Sequence, residues 1–564
     1  MPLLIGGIFF YFLWPLKEPS INSPLILNII RNLEVYFKEN SLSPLPKGPV
    51  YLVLRKGGLN MGDLWVENRP WQQSFAIGLN QILKRRKISL KKVDTIEVCL
   101  PYSINPIPPN QRNFKSWNMY RGIRGIAMNY KNSKANFCPT EMIARNLSFQ
   151  SAIEIFLSSN NLKADTLQSS SVKFQNFDAY QFLINLKKEP QVIPMVRGNT
   201  LVKIQSITLK KIKSLARSLG HWMIWHIHPD GRMTYKYWPS RGVEAKSNNM
   251  IRQFMATTAI LRYGKFSKEN LIFKSAKKNL QYNLKHFYKT EGDLGFITYQ
   301  NNTKLGAAAL AALAIVESPD RKLFQKEEQS LLRFIDSMWK KNGEFRTFYQ
   351  STRNNNQNFY PGEALLLWAI LYQESGSSAL LNKIMKSFQF YRKWHREHRN
   401  PAFIPWHTQA YYLVWQKTKN LELQQFIFEM NDWLIPEMQQ WNNLPYKDLQ
   451  GRFYNPKKPY GPPHASSTGV YLEGLIDAFQ LAKSIGDVKR KEKYRIAIIR
   501  GLRSVLQLLF EDDIDLYYIS KRKRVLGGLR TTVYDNTIRV DNVQHNLIAI
   551  IKILGSFNEK DYRL

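Results

Sequence analysis

From residue 249 onward the chain carries eleven helical stretches in succession, at 249–262, 268–287, 304–316, 326–340, 362–372, 379–398, 408–417, 421–438, 468–484, 490–510 and 542–554. No long strand separates them, so this half can only fold as a helical architecture. The stretches also differ in kind. Ala307 to Val316 is apolar all round, as a helix buried on every side must be, whereas Ser387 to Arg399 keeps a charged face. Buried helices interleaved with exposed ones predict an inner and an outer ring. Just upstream, 222–228 and 233–238 flank Asp230-Gly231 and read as a strand-turn-strand unit.

A repeat supports the ring. Several connections carry a glycine, an apolar residue soon after it and an aromatic: Gly231 with Met233 and Tyr237, Gly295 with Phe296 and Tyr299, Gly343 with Phe345 and Tyr349, Gly451 with Phe453 and Tyr454, Gly528 with Leu529 and Tyr534. In a closed ring the starts of the inner helices meet at one end, and polar residues fall there. Arg252 opens one such helix and Glu363 another. His407 and His464 precede two more, the latter beside Ser466, Ser467 and Thr468, while Arg539, Asp541, Gln544 and His545 gather at the last. Capping explains a single acid at a helix start. It does not explain four hydrogen-bonding side chains within the five positions 541–545.

Spacing and turn chemistry, with Tyr360-Pro361-Gly362-Glu363-Ala364-Leu365 leading into an inner helix, resemble the six-hairpin (α/α)6 toroid superfamily of glycoside hydrolases, polysaccharide lyases and uronyl C5-epimerases. The resemblance spans about 320 residues and implies a carbohydrate-active enzyme acting on an oligo- or polysaccharide. The catalytic candidates are Glu363, Asp541, His407 and His464. Arg252, Tyr360, Trp406, Arg539 and His545 are candidates for substrate binding. In hydrolysis Glu363 and Asp541 would divide the acid and the base or nucleophile roles. In epimerisation or elimination His407 or His464 would take a proton while Arg252 or Arg539 neutralised the developing charge. The alternative is a non-catalytic protein in which a degenerate toroid grips a polyanion.

The first 210 residues read differently, as β-rich runs at 50–54 and 95–100 with helical stretches at 25–39 and 72–86: an α+β pattern. Lys47-Gly48-Pro49-Val50-Tyr51-Leu52-Val53-Leu54-Arg55-Lys56-Gly57-Gly58, the helix from Gln72, and Asp94-Thr95-Ile96-Glu97-Val98 resemble the order of landmarks in the AMMECR family, an α+β domain. Where that family has an Arg-Gly-Cys turn, this chain has Asn60-Met61-Gly62-Asp63. The expected organisation is an apolar segment at 1–20, an AMMECR-like α+β domain at 21–215 and an all-α (α/α)6 toroid at 222–555.

A formal charge of +38 attracts polyanions, so the glycan is expected to be anionic. The basic residues are scattered, and no specific nucleic-acid motif, P-loop, dinucleotide fingerprint or nucleophile elbow is present. Met1 to Trp14 is apolar but shorter than the roughly 20 residues that span a bilayer. Contact with a membrane surface, or a cytoplasmic location without it, both fit. The two cysteines, Cys99 and Cys138, allow one bridge and leave the redox compartment open. No metal or other cofactor is expected: His226 and His228 have no third ligand nearby, and His407, His464 and His545 have no short ligand spacing.

Overall fold

A computed structural model describes residues 24–42, 48–67, 69–169, 171–187, 189–458, 460–461 and 463–564. The N-terminal apolar segment, Lys47 and Pro462 lie outside the described residues. Among those described, no helix is long and apolar enough to cross a membrane. Backbone contacts divide the chain into two units. The first runs to Leu201 and includes Asp512–Arg522; the second comprises Val202–Glu511 and Lys523–Leu564.

The first unit contains α1 (Pro24–Glu39), β1 (Val50–Lys56), β2 (Leu59–Val66), α2 (Trp71–Arg86), β3 (Thr95–Pro106), β4 (Arg124–Tyr130), β5 (Ser133–Phe137), α3 (Pro139–Ala144), α4 (Phe149–Ser159), β6 (Val172–Asn185) and β7 (Gln191–Pro194). The strands form an antiparallel sheet in the order β2-β1-β3-β6-β4-β5, with β7 also on β6. Side chains alternate across a strand. Leu52, Leu54, Ile96 and Val98 therefore pack with Leu33 of α1 and Phe75 of α2. Tyr51, Val53 and Cys99 form a separate cluster with Cys138, to which Cys99 is disulfide-bonded. Arg55 pairs with Glu97 at 2.7 Å, both buried. Asn60–Asp63, expected at a turn, lies within β2; the turn is made by Gly57 and Gly58, both at positive φ.

The second unit contains α5 (Leu209–Trp225), β8 (Lys236–Trp238), β9 (Val243–Glu244), α6 (Met250–Ser267), α7 (Asn270–Phe287), β10 (Tyr288–Glu291), β11 (Leu294–Tyr299), β12 (Asn302–Thr303), α8 (Leu305–Glu317), α9 (Gln325–Ser337), α10 (Tyr360–Ser375), α11 (Ser378–Glu397), α12 (Ile404–Thr418), α13 (Leu421–Met438), α14 (Ala465–Ser484), α15 (Val488–Leu508), β13 (Arg530–Thr532), β14 (Asp535–Arg539) and α16 (Val540–Ser556). Helices α6, α8, α10, α12, α14 and α16 each pack on the next, and α16 returns to α6: a closed inner ring. Each has an outer partner, namely α7, α9, α11, α13, α15 and, for α16, α5.

Helix α5 corrects the strand-turn-strand reading. Ile212, Leu215, Ala216, Leu219, Trp222 and Met223 are buried at helical spacing, and the Thr208 hydroxyl caps the first turn by accepting from the Lys211 N–H. The residues at 222–225 thus finish a helix; the turn at Asp230-Gly231 remains, closed by the Ile227–Met233 bridge and by hydrogen bonds from the His228 N–H to the Arg232 carbonyl and from the Thr234 N–H to the His226 carbonyl, and of the second strand Lys236–Trp238 forms β8. The expected domain boundary near 215–222 falls inside α5, whereas the second unit begins at Val202.

The repeated glycines have a packing reason. Gly343 has φ of 97° and lies against the Lys386 backbone of α11, and Gly451 has φ of 86° and lies against the Arg500 backbone of α15. A side chain at either position would collide with the neighbouring outer helix as well as strain the backbone.

Candidate active site at the starts of the inner helices

The closed ring brings the inner helix starts together. A Cβ at Gly306, second residue of α8, would collide with Glu363 Oε2 in the first turn of α10, and one at Gly362 would press on Trp406 and His407 of α12. Gly469 of α14 abuts His545 and Asn546 of α16. At the seam that closes the ring, Arg252 Nε of α6 donates to Asp541 Oδ2 of α16 at 2.8 Å.

Asp541 is 4% exposed and held from two sides. Arg539 Nε donates to Oδ1 at 2.9 Å and Arg539 Nη2 contacts Oδ2. Burial alone would raise the carboxyl, but Arg252 and Arg539 outweigh it and hold the group well below the usual carboxylate range. Arg252 Nη1 also donates to the Tyr235 hydroxyl at 2.9 Å, which fixes the clamp.

Glu363 is tuned the other way. It is 5% exposed, and Oε2 has no hydrogen-bond partner among the described residues. Burial pushes its carboxyl up to about 8, against the opposing pull of the Lys304 ammonium. Lys304, immediately before α8, is itself lowered by burial and by the positive charges of Arg353 and Arg252. Tyr360 is buried beside Glu363, and its phenol is raised by desolvation and then by that carboxylate.

Histidine geometry assigns tautomers. His464 is driven down to about 4 by burial and Arg539, so it is neutral near pH 7. Its Nδ1 lies 3.1 Å from Arg539 Nη1 and must accept, which leaves the proton on Nε2. His545 Nδ1 lies 2.8 Å from Glu473 Oε1; Nδ1–H donates to the carboxylate, which places the lone pair of the neutral ring on Nε2. Trp406 meets His545 edge to face at 6.0 Å. Beneath them Lys552 Nζ pairs with Asp477 Oδ2 at 2.6 Å and donates to the Glu473 carbonyl at 2.8 Å.

The structure therefore groups Arg252, Tyr360, Glu363, Trp406, His464, Arg539, Asp541 and His545 at the inner helix starts. His407 also stands at the start of α12, but its ring is committed to packing. Its ring is fully buried, stacks on Phe403 at 3.5 Å and is flanked by Tyr391 and Tyr411. Nδ1–H donates to the Phe403 carbonyl at 2.8 Å, and burial drives the imidazole down to about 3. His226 and His228 are also engaged locally: His226 bonds the Trp222 and Arg524 carbonyls, and His228 pairs with Glu244 at 3.0 Å. Among the described residues, no group of three His, Cys, Asp or Glu side chains is arranged to hold a metal ion.

Sequence reading missed Lys304, Tyr235 and Glu473. The last had a signal, since Glu473 and Asp477 are two carboxylates four apart in the 469–479 stretch of α14, which is otherwise apolar. Acids do not enter such a helix without partners.

No family model and no curated protein matches the chain. Among solved structures it is similar to a D-mannose isomerase, at 11% identity over 63% of this chain and 99% of that one, with a TM-score of 0.48. A cellobiose 2-epimerase from Bacillus thermoamylovorans B4167 shows 10% identity, 61% and 98% coverage and a TM-score of 0.48. An unsaturated glucuronyl hydrolase specific for heparin shows 11% identity, 61% and 96% coverage and a TM-score of 0.44.

Proposed function

We propose that the second unit is a carbohydrate-active enzyme that works by proton transfer on an oligo- or polysaccharide with anionic groups. The observation that carries this reading is the opposite tuning of two buried carboxyl groups, Glu363 up to about 8 and Asp541 well below the normal range, at one end of one ring. Environments that drive like groups apart are how a single site holds an acid and an anion at neutral pH.

In this reading Glu363 is the general acid, because it keeps its proton at pH 7. Asp541 is not the base: both its oxygens are occupied by guanidinium groups, and its low proton affinity makes it an anchor for Arg252 and Arg539. The base is His545, whose Nε2 lone pair is set by the Nδ1–H bond to Glu473. It would take a proton from a carbon next to a carbonyl or carboxyl group, while Lys304, Arg252 and Arg539 stabilise the enolate that forms and Glu363 returns a proton. Trp406 and Tyr360 supply aromatic faces for a sugar ring, and His464 Nε2–H a hydrogen-bond donor. Epimerisation, isomerisation or elimination fits this arrangement better than hydrolysis, which would need Asp541 free to accept a proton or attack. For the first unit, the order of landmarks supports an AMMECR-like domain to which no reaction is assigned.

The test is incubation of the full-length protein in D₂O with neutral and uronate disaccharides, followed by NMR. Deuterium entering at the carbon beside the carbonyl or carboxyl, and lost in Glu363→Gln and His545→Asn, supports the reading. Turnover of these sugars by hydrolysis alone, with no deuterium at carbon, contradicts it.

A further inference from the structure

The second unit carries a cavity of about 560 Å³ that the proposed reaction does not use. It is lined by Arg232, the stretch Glu244–Asn248, Tyr282, His286 and Phe287 of α7, and Tyr299 of β11. The stretch leads directly into the site already described: Asn248 Oδ1 accepts from Gln253 Nε2 at 2.7 Å, and the Asn249 side chain caps α6 at the Arg252 N–H. Asn248 thus lines the cavity and braces Gln253 in the first turn of the helix that carries the Asp541 clamp.

The charge balance of the lining selects its ligand. Glu244 is the one carboxylate in it, and that charge is already compensated by contacts with Arg524 and Arg232. Arg232 commits Nη2 to Glu244 and His228 and has further guanidinium N–H groups to offer, and Lys246 is exposed. His286 donates Nδ1–H to the Tyr282 carbonyl at 2.8 Å, which leaves Nε2 for a ligand, and its ring stacks on Tyr282 at 4.0 Å. Cationic groups beside Tyr282, Tyr299 and the His286 ring match a ligand that has both a ring and an acid group.

We infer that this cavity is a binding subsite for an acid-bearing sugar unit, carboxylated or sulfated, of a saccharide whose neighbouring unit lies at the inner helix starts. The inference rests on the carbohydrate reading of that site, but it concerns binding and is measured separately. Arg232 and Lys246 bind the acid group, and the aromatic faces take the sugar ring. A volume of this order holds one sugar unit with its acid group and ordered water.

The experiment is calorimetric titration of the full-length protein with digalacturonate, a sulfated disaccharide and cellobiose, repeated with Lys246→Glu, Arg232→Gln and Glu363→Gln. Lys246 is exposed, so its replacement does not threaten folding, and melting temperatures control for the other variants. The expected result is that at least one acidic disaccharide binds more tightly than cellobiose, and that Lys246→Glu weakens it tenfold or more while cellobiose is unaffected. The carboxylated and sulfated probes tell which acid group the subsite prefers. Binding that survives Glu363→Gln without turnover in the wild type would retain the subsite and sink the proposed reaction. Equal binding of all three probes, no binding of either acidic one, or affinity unchanged in both Lys246→Glu and Arg232→Gln, would overturn the subsite.

Discussion

Arg252 and Asp541 are 289 residues apart in sequence, yet Arg252 Nε donates to Asp541 Oδ2 at 2.8 Å and so ties the first inner helix to the last. Arg252→Gln leaves the buried Asp541 carboxylate to Arg539 alone, which costs less than the about 3–5 kcal/mol of a buried charge with no partner. Arg252→Gln should therefore lower the melting temperature at pH 7 measurably. The pH dependence has a definite sign. The Asp541 carboxyl is depressed in the folded protein, so its contribution is present above the unfolded value of roughly 4 and is lost as pH falls below it. Calorimetry between pH 3 and 7 should show a steeper acid loss in the wild type than in Arg252→Gln. Parallel curves would mean that the seam adds nothing.

Glu363 has the opposite sign. Its folded value of about 8 lies above the unfolded value of roughly 4.3, so the native state favours the protonated group. The associated stability is fully present below pH 4 and is lost as pH rises through about 8. Glu363→Gln removes the cost of charging a buried carboxyl. The variant should melt higher than the wild type at pH 9, with the gap closing toward pH 5. A variant less stable than the wild type at pH 9 would show that the ionised group has a partner.

Lys304 offers a handle on the same proton. Its ammonium pulls the Glu363 carboxyl down, so Lys304→Met should push it further up. If protonated Glu363 is required, wild-type turnover declines above about pH 8 and the decline moves to higher pH in the variant. A limb that stays in place would assign it to another group.

In the proposed reaction Glu473 holds the His545 tautomer through the 2.8 Å contact with Nδ1. Glu473→Gln keeps the shape but can present an N–H where Nδ1–H needs an acceptor, so turnover should fall about a hundredfold or more, in kcat more than in KM. An unchanged kcat would reduce Glu473 to a structural partner of its neighbours.

The helices of the second unit were legible because burial on every side and burial on one face leave different patterns. The eleven stretches read from sequence correspond to α6–α16 within a few residues. The twelfth, α5, was hidden because 222–228 contains Trp222, Ile224, Trp225 and Ile227, bulky residues that suit a strand equally well, and an Asp-Gly turn follows. Its buried positions at 212, 215, 216 and 219 had the helical spacing. Hydrogen exchange should place the amides at 213–223 among the slowly exchanging ones, as in α16. Rapid exchange there would return the segment to a linker.

The candidate site was legible only where polar residues crowd a helix start, as at 541–545. Position alone did not reveal direction. His407 stands at a helix start like its neighbours, yet its ring packs on Phe403, because an imidazole one turn into α12 finds a carbonyl acceptor four residues back. Nor could sequence distinguish Asp541 as an anchor from Asp541 as a base, since that depends on two guanidinium groups, one of them from the far end of the unit.

In the proposed reaction one carboxylic acid and one carboxylate share the starts of the inner helices. Carbon-13 NMR of full-length protein labelled at the Glu and Asp side-chain carboxyls, assigned with Glu363→Gln and Asp541→Asn, follows both groups directly between pH 3 and 10. The predicted result is a Glu363 resonance that titrates near 8 while Asp541 remains ionised across the whole range. A Glu363 resonance that titrates near 4, in the ordinary carboxylate range, would remove the acid from the site and with it the proposed chemistry.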